Sequence, residues 1–398
     1  MADPAHEQGE NGGRPLSDLV VLDLSRVLTG PYAAMMLGDL GARVIKVERP
    51  GTGDDTREWG PPFVGEGDER ESTYFLSTNR NKESIVLDLK DDGDKDVLAR
   101  LVRESDVLVE NFRPGVLGKL GFGDERLAEL NPRLVTLSIT GFGHDGPEAS
   151  RAGYDQIVQG EAGLMSITGP DAGTPTKVGV SIADILAGMF GVYGVLAALH
   201  ERERTGRGKV VRTSLLAGIV AVHTWQATRW LIGGEVPEAI GNRHPTVAPY
   251  GAFECQDGIV QIAVGNDAIW GRFAPLVGID PHDERFRSAS DRVRRYDELD
   301  VLIGARFSEH PIAHWLEQFA ANGVPAGEVK PLDKVYEWPQ VLSQGLLVET
   351  EHASLGPIRL PGPPVRFDGD ESFAHAPPPR LGEHSDAIRA WLEERDGR

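Results

Sequence analysis

VVLDLSRVLTGPYAAMMLGDLGARVIKVE (20–48) decides the fold. VVLDLS (20–25) is an apolar strand, Gly30 to Leu40 carries a helix of small residues, and ARVIKVE (42–48) is a second strand. Two strands joined through a helix lie parallel in one sheet, with a right-handed crossover. The pattern then repeats. SIVLDL (84–89) is a strand, Asp94 to Glu104 an amphipathic helix, DVLVENF (106–112) another strand, and LVTLSITGF (134–142) a further one. Strands alternating with helices predict an α/β fold, a doubly wound Rossmann-like sheet.

Beyond the sheet, 184–200 and 214–231 are apolar helical stretches separated by the charged turn ERERTGRGKVV. The run from Ile185 to Leu199 is shorter than a bilayer-spanning helix, so a helix buried in protein is expected, with no membrane partner. Composition changes near residue 245. YGAFECQDGIVQIAV reads as a hairpin turning at Gln256, Asp257 and Gly258, and helical patterns fill 268–321. PIRLPGPPVRF and a final helix, HSDAIRAWLEERD, close the chain. The expected organisation is a polar, disordered tail at 1–14, a large α/β domain from 15–224 plus 326–398, and a smaller α+β domain at 225–325.

Bulk composition narrows the function. With 40% hydrophobic and 26% charged residues, the 398-residue chain has a globular profile and room for about two domains. A net charge of −20 repels phosphate backbones and excludes nucleic acid as the expected partner. Cys255, the single cysteine, forms no internal disulfide and no cysteine-based zinc site, so no metal and a reducing cytoplasmic setting are expected. The N-terminal residues lack the apolar core of a signal peptide.

The nucleotide-type fold lacks the corresponding fingerprints. The first turn reads S-R-V-L-T-G-P-Y in place of G-x-G-x-x-G, and no G-x-x-x-x-G-K-S/T occurs. Glu48, which ends the second strand, is therefore read as an ordinary strand-end residue and not as a ribose ligand. The chemical candidate is Asp184, which precedes the all-round apolar helix. Local sequence leaves two roles open. Aspartate caps helices by accepting amide hydrogen bonds. It can also attack an activated acyl group, and a helix N-terminus favours its charged form.

The residues become specific when taken together. LDLSRVLTGPYAAMMLGDLGARVIKVERPGTGD (22–54), NRNKESIVLDLK (79–90), DVLVENFRPGVLGKLGF (106–122), LNPRLVTLSITGFG (130–143), GYDQIVQGEAGLMSITG (153–169), the block from Asp184 to Lys209 and GNRHPTVAPYGAFECQDGIVQIAVGND (241–267) occur in order. In them the chain resembles the class III CoA-transferases, the family of formyl-CoA transferase, carnitine CoA-transferase and α-methylacyl-CoA racemase. The resemblance implies a large domain built from both chain ends and an interlocked homodimer. It implies that Asp184 is the catalytic nucleophile, forming an acyl anhydride and then an aspartyl-CoA thioester. Coenzyme A enters as substrate, with no prosthetic group, and small carboxylic acids are the partners.

The resemblance also distributes the remaining roles. Arg49, Leu87, Lys90, Asn111 and Lys119 match positions that contact CoA, with Phe112 and Arg113 beside them and Arg80 and Lys82 weaker candidates. Trp59, Tyr74, Leu28, Tyr154, Asp155 and His244 fall at the acyl end. Racemases of the family pair the aspartate with histidine in G-H-D. Here Gly153-Tyr154-Asp155 puts a phenol there, which titrates too high to share α-proton transfer at neutral pH. Leu28 stands where formyl-CoA transferase has glutamine, and its tetraglycine lid is missing, which argues against oxalate and formate. Arg243 and His244 suggest an acidic acyl group, such as succinate or mesaconate. The alternatives are an acyl-CoA racemase and a non-catalytic CoA-binding protein.

Overall fold

The computed structural model describes residues 13–367 and 374–397. Of the expected tail at 1–14, residues 1–12 lie outside the described residues, while Arg14 donates to the Ala374 carbonyl at 2.8 Å. The chain forms two compact units, Met1–Ala162 with Gly179–Thr224 and Pro339–Arg398, and Gly163–Val178 with Trp225–Trp338.

The first unit is built on β1 (Val20–Asp23), α1 (Thr29–Asp39), β2 (Arg43–Glu48), β3 (Lys82–Val86), α2 (Asp92–Glu104), β4 (Val107–Glu110) and β5 (Val135–Thr140). After β5 come α3 (Asp155–Glu161), α4 (Ile182–Thr205), β6 (Val210–Ser214) and α5 (Leu215–Val222). The strands pair in the order β3-β2-β1-β4-β5-β6. Every pair is parallel; β1 takes β2 on one side, Val21 opposite Val44, and β4 on the other, Val21 opposite Val107. This is the doubly wound order expected of a Rossmann-like sheet. Its central strands read as unbroken apolar runs because helices cover both faces; Val21, Leu22, Ile45, Leu108 and Leu137 are fully buried. The chain's last helix, Ser385–Asp396, returns to this core through Ile388 and Leu392, so both ends build the unit.

Helix α4 differs from its expected extent. It begins at Ile182, runs 24 residues into the charged ERERT segment, and is long and apolar enough to span a bilayer. The expectation of a run too short for a membrane is thereby corrected. One face of α4 is nevertheless buried, through Ala183, Ala187, Gly191, Val195 and Ala198, as in a helix packed on a sheet.

The second unit carries an antiparallel sheet, β7 (Tyr250–Cys255), β8 (Gly258–Ala263) and β9 (Ala326–Glu328), with β8 central. The hairpin falls where the turn residues predict it, with Cys255 opposite Gly258. Its core is aromatic, from Trp270, Phe273, Phe286, Phe307 and Phe319. Pairing of β9 with β8, Val260 opposite Glu328, ties the chain to this sheet past residue 325. The return to the first unit therefore comes at Pro339, not at 326, and residues 163–178 join the second unit, where the Gly241 amide donates to the Gly169 carbonyl at 2.8 Å.

Candidate active site

The strand order reverses at β1 and β4, and the loops leaving their C-terminal ends diverge there. Such a switch point leaves a crevice in which α/β proteins bind ligands. In the first unit it is a cleft of about 370 Å³ lined by Arg26 to Thr29 after β1, Asn111 to Pro114 after β4, and Ile139 to Gly141 at the end of β5. Tyr154 and Asp184 complete the wall.

The position of Asp184 follows from two contacts it does not itself make with its carboxylate. Asp155 caps α4: its Oδ1 accepts from the Ala183 amide at 2.8 Å, and its Oδ2 accepts from Gln159 Nε2 at 2.7 Å. The cap reading of Asp184 therefore falls to a residue on another helix, and the Asp184 carboxylate has no hydrogen bond among the described residues. The second contact fixes the backbone. Thr29 Oγ1 donates to the Asp184 carbonyl at 2.8 Å. That approach needs Gly188 one turn further on, where an added Cβ would stand 2.9 Å from the Thr29 carbonyl oxygen.

Burial, and then the nearby negative charge of Asp155, raise the Asp184 carboxyl to about 7. A half-buried carboxylate without donors has lost hydration and gained nothing in return, so its charged form is destabilised and reactive. Tyr74 stands in the same electrostatic neighbourhood. Burial pushes its phenol up, it interacts with Ser181, and the charges of Asp184 and Asp155 add to the effect. Trp59 packs edge-on to Tyr74 with ring centroids 5.2 Å apart.

The β1–α1 loop supplies the opposite wall. Val27 has φ 72, a left-handed conformation that is an outlier for a β-branched side chain and costs on the order of 1–3 kcal/mol. Polar contacts hold it there. The Val27 amide donates to Asp54 Oδ1 at 3.2 Å; Asn111 accepts from the Arg26 amide at 2.9 Å and donates to the Arg26 carbonyl at 2.6 Å. Behind Asp54 lies a buried charge network. Lys46 Nζ is 2.9 Å from Asp54 and 3.8 Å from Asp23, and Lys82 Nζ is 2.9 Å from Asp23. Burial opposes ionisation of Asp54, but Lys46 and the Thr56 donors outweigh it and bring the carboxyl down to about 2. Burial, with Lys46 adding to it, pulls the Lys82 ammonium down to about 8. The loop ends at α1, whose N-cap, Leu28, offers no side-chain cap. In that first turn Pro31 has no N–H and the Tyr32 amide donates to the Leu28 carbonyl at 2.8 Å.

Several expected site residues are buried or have partners within the chain, and Leu28 and Asn111 also line the cleft. Leu87 is 1% exposed and packs in the sheet core. Glu48, expected to be an ordinary strand-end residue, binds Arg57, Ser84 and the Asp54 amide. Arg80 grips Asp39 through Nε at 2.8 Å and Nη2 at 2.6 Å. Asn111 acts on the loop backbone, as described, and Leu28 is buried. Arg49 pairs with Asp55 and bonds Thr52. Lys90, Arg113 and Lys119 are exposed and make no ion pair among the described residues; Phe112 lies with Arg113 in the cleft wall. Tyr154 is 60% exposed in the cleft.

In the second unit, His244 is stacked on Trp225 at 5.5 Å and accepts from the Thr246 amide at 3.3 Å. Arg243 pairs with Asp297 at 2.5 Å and Asp300 at 2.6 Å. Arg243, expected to suit an acidic acyl group, has its charge matched twice within the chain.

Sequence reasoning missed Arg26, Val27, Thr29 and Asp54. The strained turn and the uncapped helix leave no local signature beyond S-R-V-L-T-G-P. It also missed a second cavity of about 390 Å³ beyond Phe112 and Arg113. There Ser138 bonds both the buried Glu110 and, at 2.8 Å, His144. Serine stands in the middle of that trio, so it is not arranged as a nucleophile activated by histidine. No cluster suited to a metal ion occurs among the described residues.

A family model described as CoA-transferase family III matches residues 16–385. The mouse (Mus musculus) protein named succinyl-CoA:glutarate CoA-transferase is 42% identical over 94% of this chain and 85% of its own. The Acetobacter aceti protein named acetyl-CoA:oxalate CoA-transferase is 41% identical over 94% of this chain and 95% of its own. Among solved structures, a CAIB/BAIF family protein from Brucella suis superposes with a TM-score of 0.86 at 40% identity, covering 95% of this chain and 99% of that one.

Proposed function

The chain belongs to CoA-transferase family III, and from that premise we propose that it moves CoA from succinyl-CoA to a small dicarboxylic acid through covalent intermediates on Asp184. One observation carries the reading. The Asp184 carboxylate lines an open cleft, free of capping duty, with its charged form destabilised.

The chemistry follows from that state. The carboxylate attacks the thioester carbonyl and expels CoA thiolate, leaving a mixed anhydride. Thiolate attacks the Asp184 carbonyl of the anhydride, releases the donor acid and leaves an aspartyl-CoA thioester. The acceptor carboxylate attacks that thioester and displaces thiolate again. Thiolate then attacks the acyl carbonyl of the new anhydride, producing acyl-CoA and restoring the Asp184 carboxylate. The thioester is conserved, so the cycle calls for neither ATP nor metal. We assign each tetrahedral oxyanion to the Thr29 and Gly30 amides, because Pro31 has no N–H and the Tyr32 amide is taken by the Leu28 carbonyl.

Lys90, Arg113 and Lys119 are the unmatched cations for the CoA phosphates. The dicarboxylate class is supported by the mouse relative's name; the Acetobacter relative keeps oxalate in the test panel despite Leu28. A homodimer fits an exposed apolar stripe on α4, formed by Met189, Phe190, Tyr193 and Leu196, in which Tyr193 is 74% exposed.

The test is chemical trapping. After incubation with succinyl-CoA, hydroxylamine or borohydride should modify Asp184, read by mass spectrometry of its peptide. An Asp184→Ala protein exchanging CoA at the wild-type rate would end the mechanism.

A further inference from the structure

We infer that Asp54 is a positioning residue of the Asp184 reaction: paired with Lys46 behind the cleft, it holds the Val27 turn in the shape that aims the Thr29 and Gly30 amides at the oxyanion. This rests on the reading of Asp184 above.

Asp54 is 1% exposed, and the turn it holds, Val27 to Thr29, lines the cleft together with Asp184. Its Oδ1 accepts from the Val27 amide at 3.2 Å, and from the Thr56 amide and hydroxyl at 3.0 and 2.8 Å. Its Oδ2 lies 2.9 Å from the Lys46 ammonium and has no further partner among the described residues. Lys46, itself fully buried, also donates to the Ser25 carbonyl at 2.9 Å. One ion pair therefore grips the loop at two points, Ser25 and Val27.

The chain does not adopt this turn freely. Val27 has φ 72, and a β-branched residue stays in the left-handed region only where its surroundings impose it. The loop is also folded tightly on itself, since a Cβ added to Gly30 would stand 2.2 Å from Ser25 Cβ. Released at Val27, the backbone relaxes to negative φ and rotates the amides that follow. The Thr29 hydroxyl, bonded to the Asp184 carbonyl at 2.8 Å, carries the same displacement to the nucleophile. Misaimed donors forfeit an interaction made in the transition state, so kcat and not CoA affinity is what Asp54 controls.

The competing role is local. Through the same Oδ1, Asp54 caps the one-turn helix Asp55–Glu58. Loss of a cap alone costs stability and leaves the chemistry of each folded molecule untouched.

Three variants separate these roles. Asp54→Asn keeps a carbonyl acceptor of the same shape, and Asp54→Ala removes it. The Lys46→Met, Asp54→Ser double variant keeps a capping hydroxyl, leaves no unpaired buried ammonium and cannot reach Val27, so it reports even where Asp54→Ala fails to fold. Formation of the aspartyl-CoA thioester from succinyl-CoA is followed in single turnovers and expressed per folded molecule, beside calorimetric binding of free CoA. The expected result is a rate about 100-fold lower in Asp54→Ala and in the double variant, no more than about tenfold lower in Asp54→Asn, and CoA affinity within about threefold of the wild type throughout. A double variant whose rate stays within about threefold of the wild type would leave Asp54 as a cap and overturn the inference. Asp54→Asn as slow as the double variant, or CoA affinity falling in step with the rate, would overturn it as well. A wild type that gains no hydroxylamine label at Asp184 after succinyl-CoA sinks the Asp184 reading itself, a result visible before any variant is made.

Discussion

Replacing Asp184 by asparagine should stabilise the protein while abolishing its activity, and the gain should depend on pH. The carboxyl sits at about 7 in the folded chain against an ordinary value of 3.8. Below about pH 4 both folded and unfolded chains hold the proton, and the site carries no penalty. As pH rises towards 7 the unfolded chain releases its proton while the folded chain retains it, so stability is lost progressively. Above about 7 the loss is complete. A displacement of about three pH units corresponds to roughly 4 kcal/mol, and solvent reaching the half-buried group reduces this to about 2–3 kcal/mol. Asparagine never ionises, so the variant escapes the penalty. Urea unfolding of both proteins at pH 4.5, 6 and 8 is the assay. The difference in stability should be small at pH 4.5 and widen to about 2–3 kcal/mol at pH 8, a rise of several degrees in thermal midpoint. In parallel, wild-type kcat/KM for acyl-CoA should climb with pH through about 7 as the nucleophile ionises. A variant that is less stable than the wild type at pH 8, or a gap that does not vary with pH, would refute the claim that the protein holds this carboxylate in a destabilised state.

Two further substitutions probe the frame around it. Val27→Gly removes the left-handed strain at φ 72 but adds backbone entropy, so stability should change by less than about 1 kcal/mol while kcat falls; a loss above about 2 kcal/mol by denaturant titration would show that the valine is not strained. Gly188→Ala pushes a methyl to 2.9 Å from the Thr29 carbonyl, so α4 must move away from α1; about 1–3 kcal/mol of destabilisation is expected, with slower formation of the aspartyl thioester in single-turnover experiments, and an unaltered rate would separate the Thr29 contact from catalysis.

What could be read locally was read correctly in kind. Strand-helix-strand periodicity is a property of near neighbours, and it yields the parallel sheet, the hairpin at Gln256 and Asp257, and the apolar helix around Asp184, which begins two residues earlier than expected from Asp184. Boundaries shifted where distant pairing intervened, as when β9 held the chain to the small sheet past 325.

The site divides along the same line. That Asp184 stands at a helix start is a local fact. Whether it caps that helix was undecidable from its neighbourhood, because the competing acceptor, Asp155, is supplied by α3. Which cations remain available for a ligand was equally out of reach. Arg80 and Arg243 look like free positive charges in one dimension, yet folding delivers Asp39 to the first and Asp297 with Asp300 to the second. Backbone preference and apolar periodicity are set by adjacent residues, so sequence alone determined the elements and their type. Ion pairing and desolvation depend on groups brought together from far along the chain, so only the tertiary structure decided that the Asp184 carboxylate is left uncapped and desolvated in a cleft while Arg80 and Arg243 are neutralised.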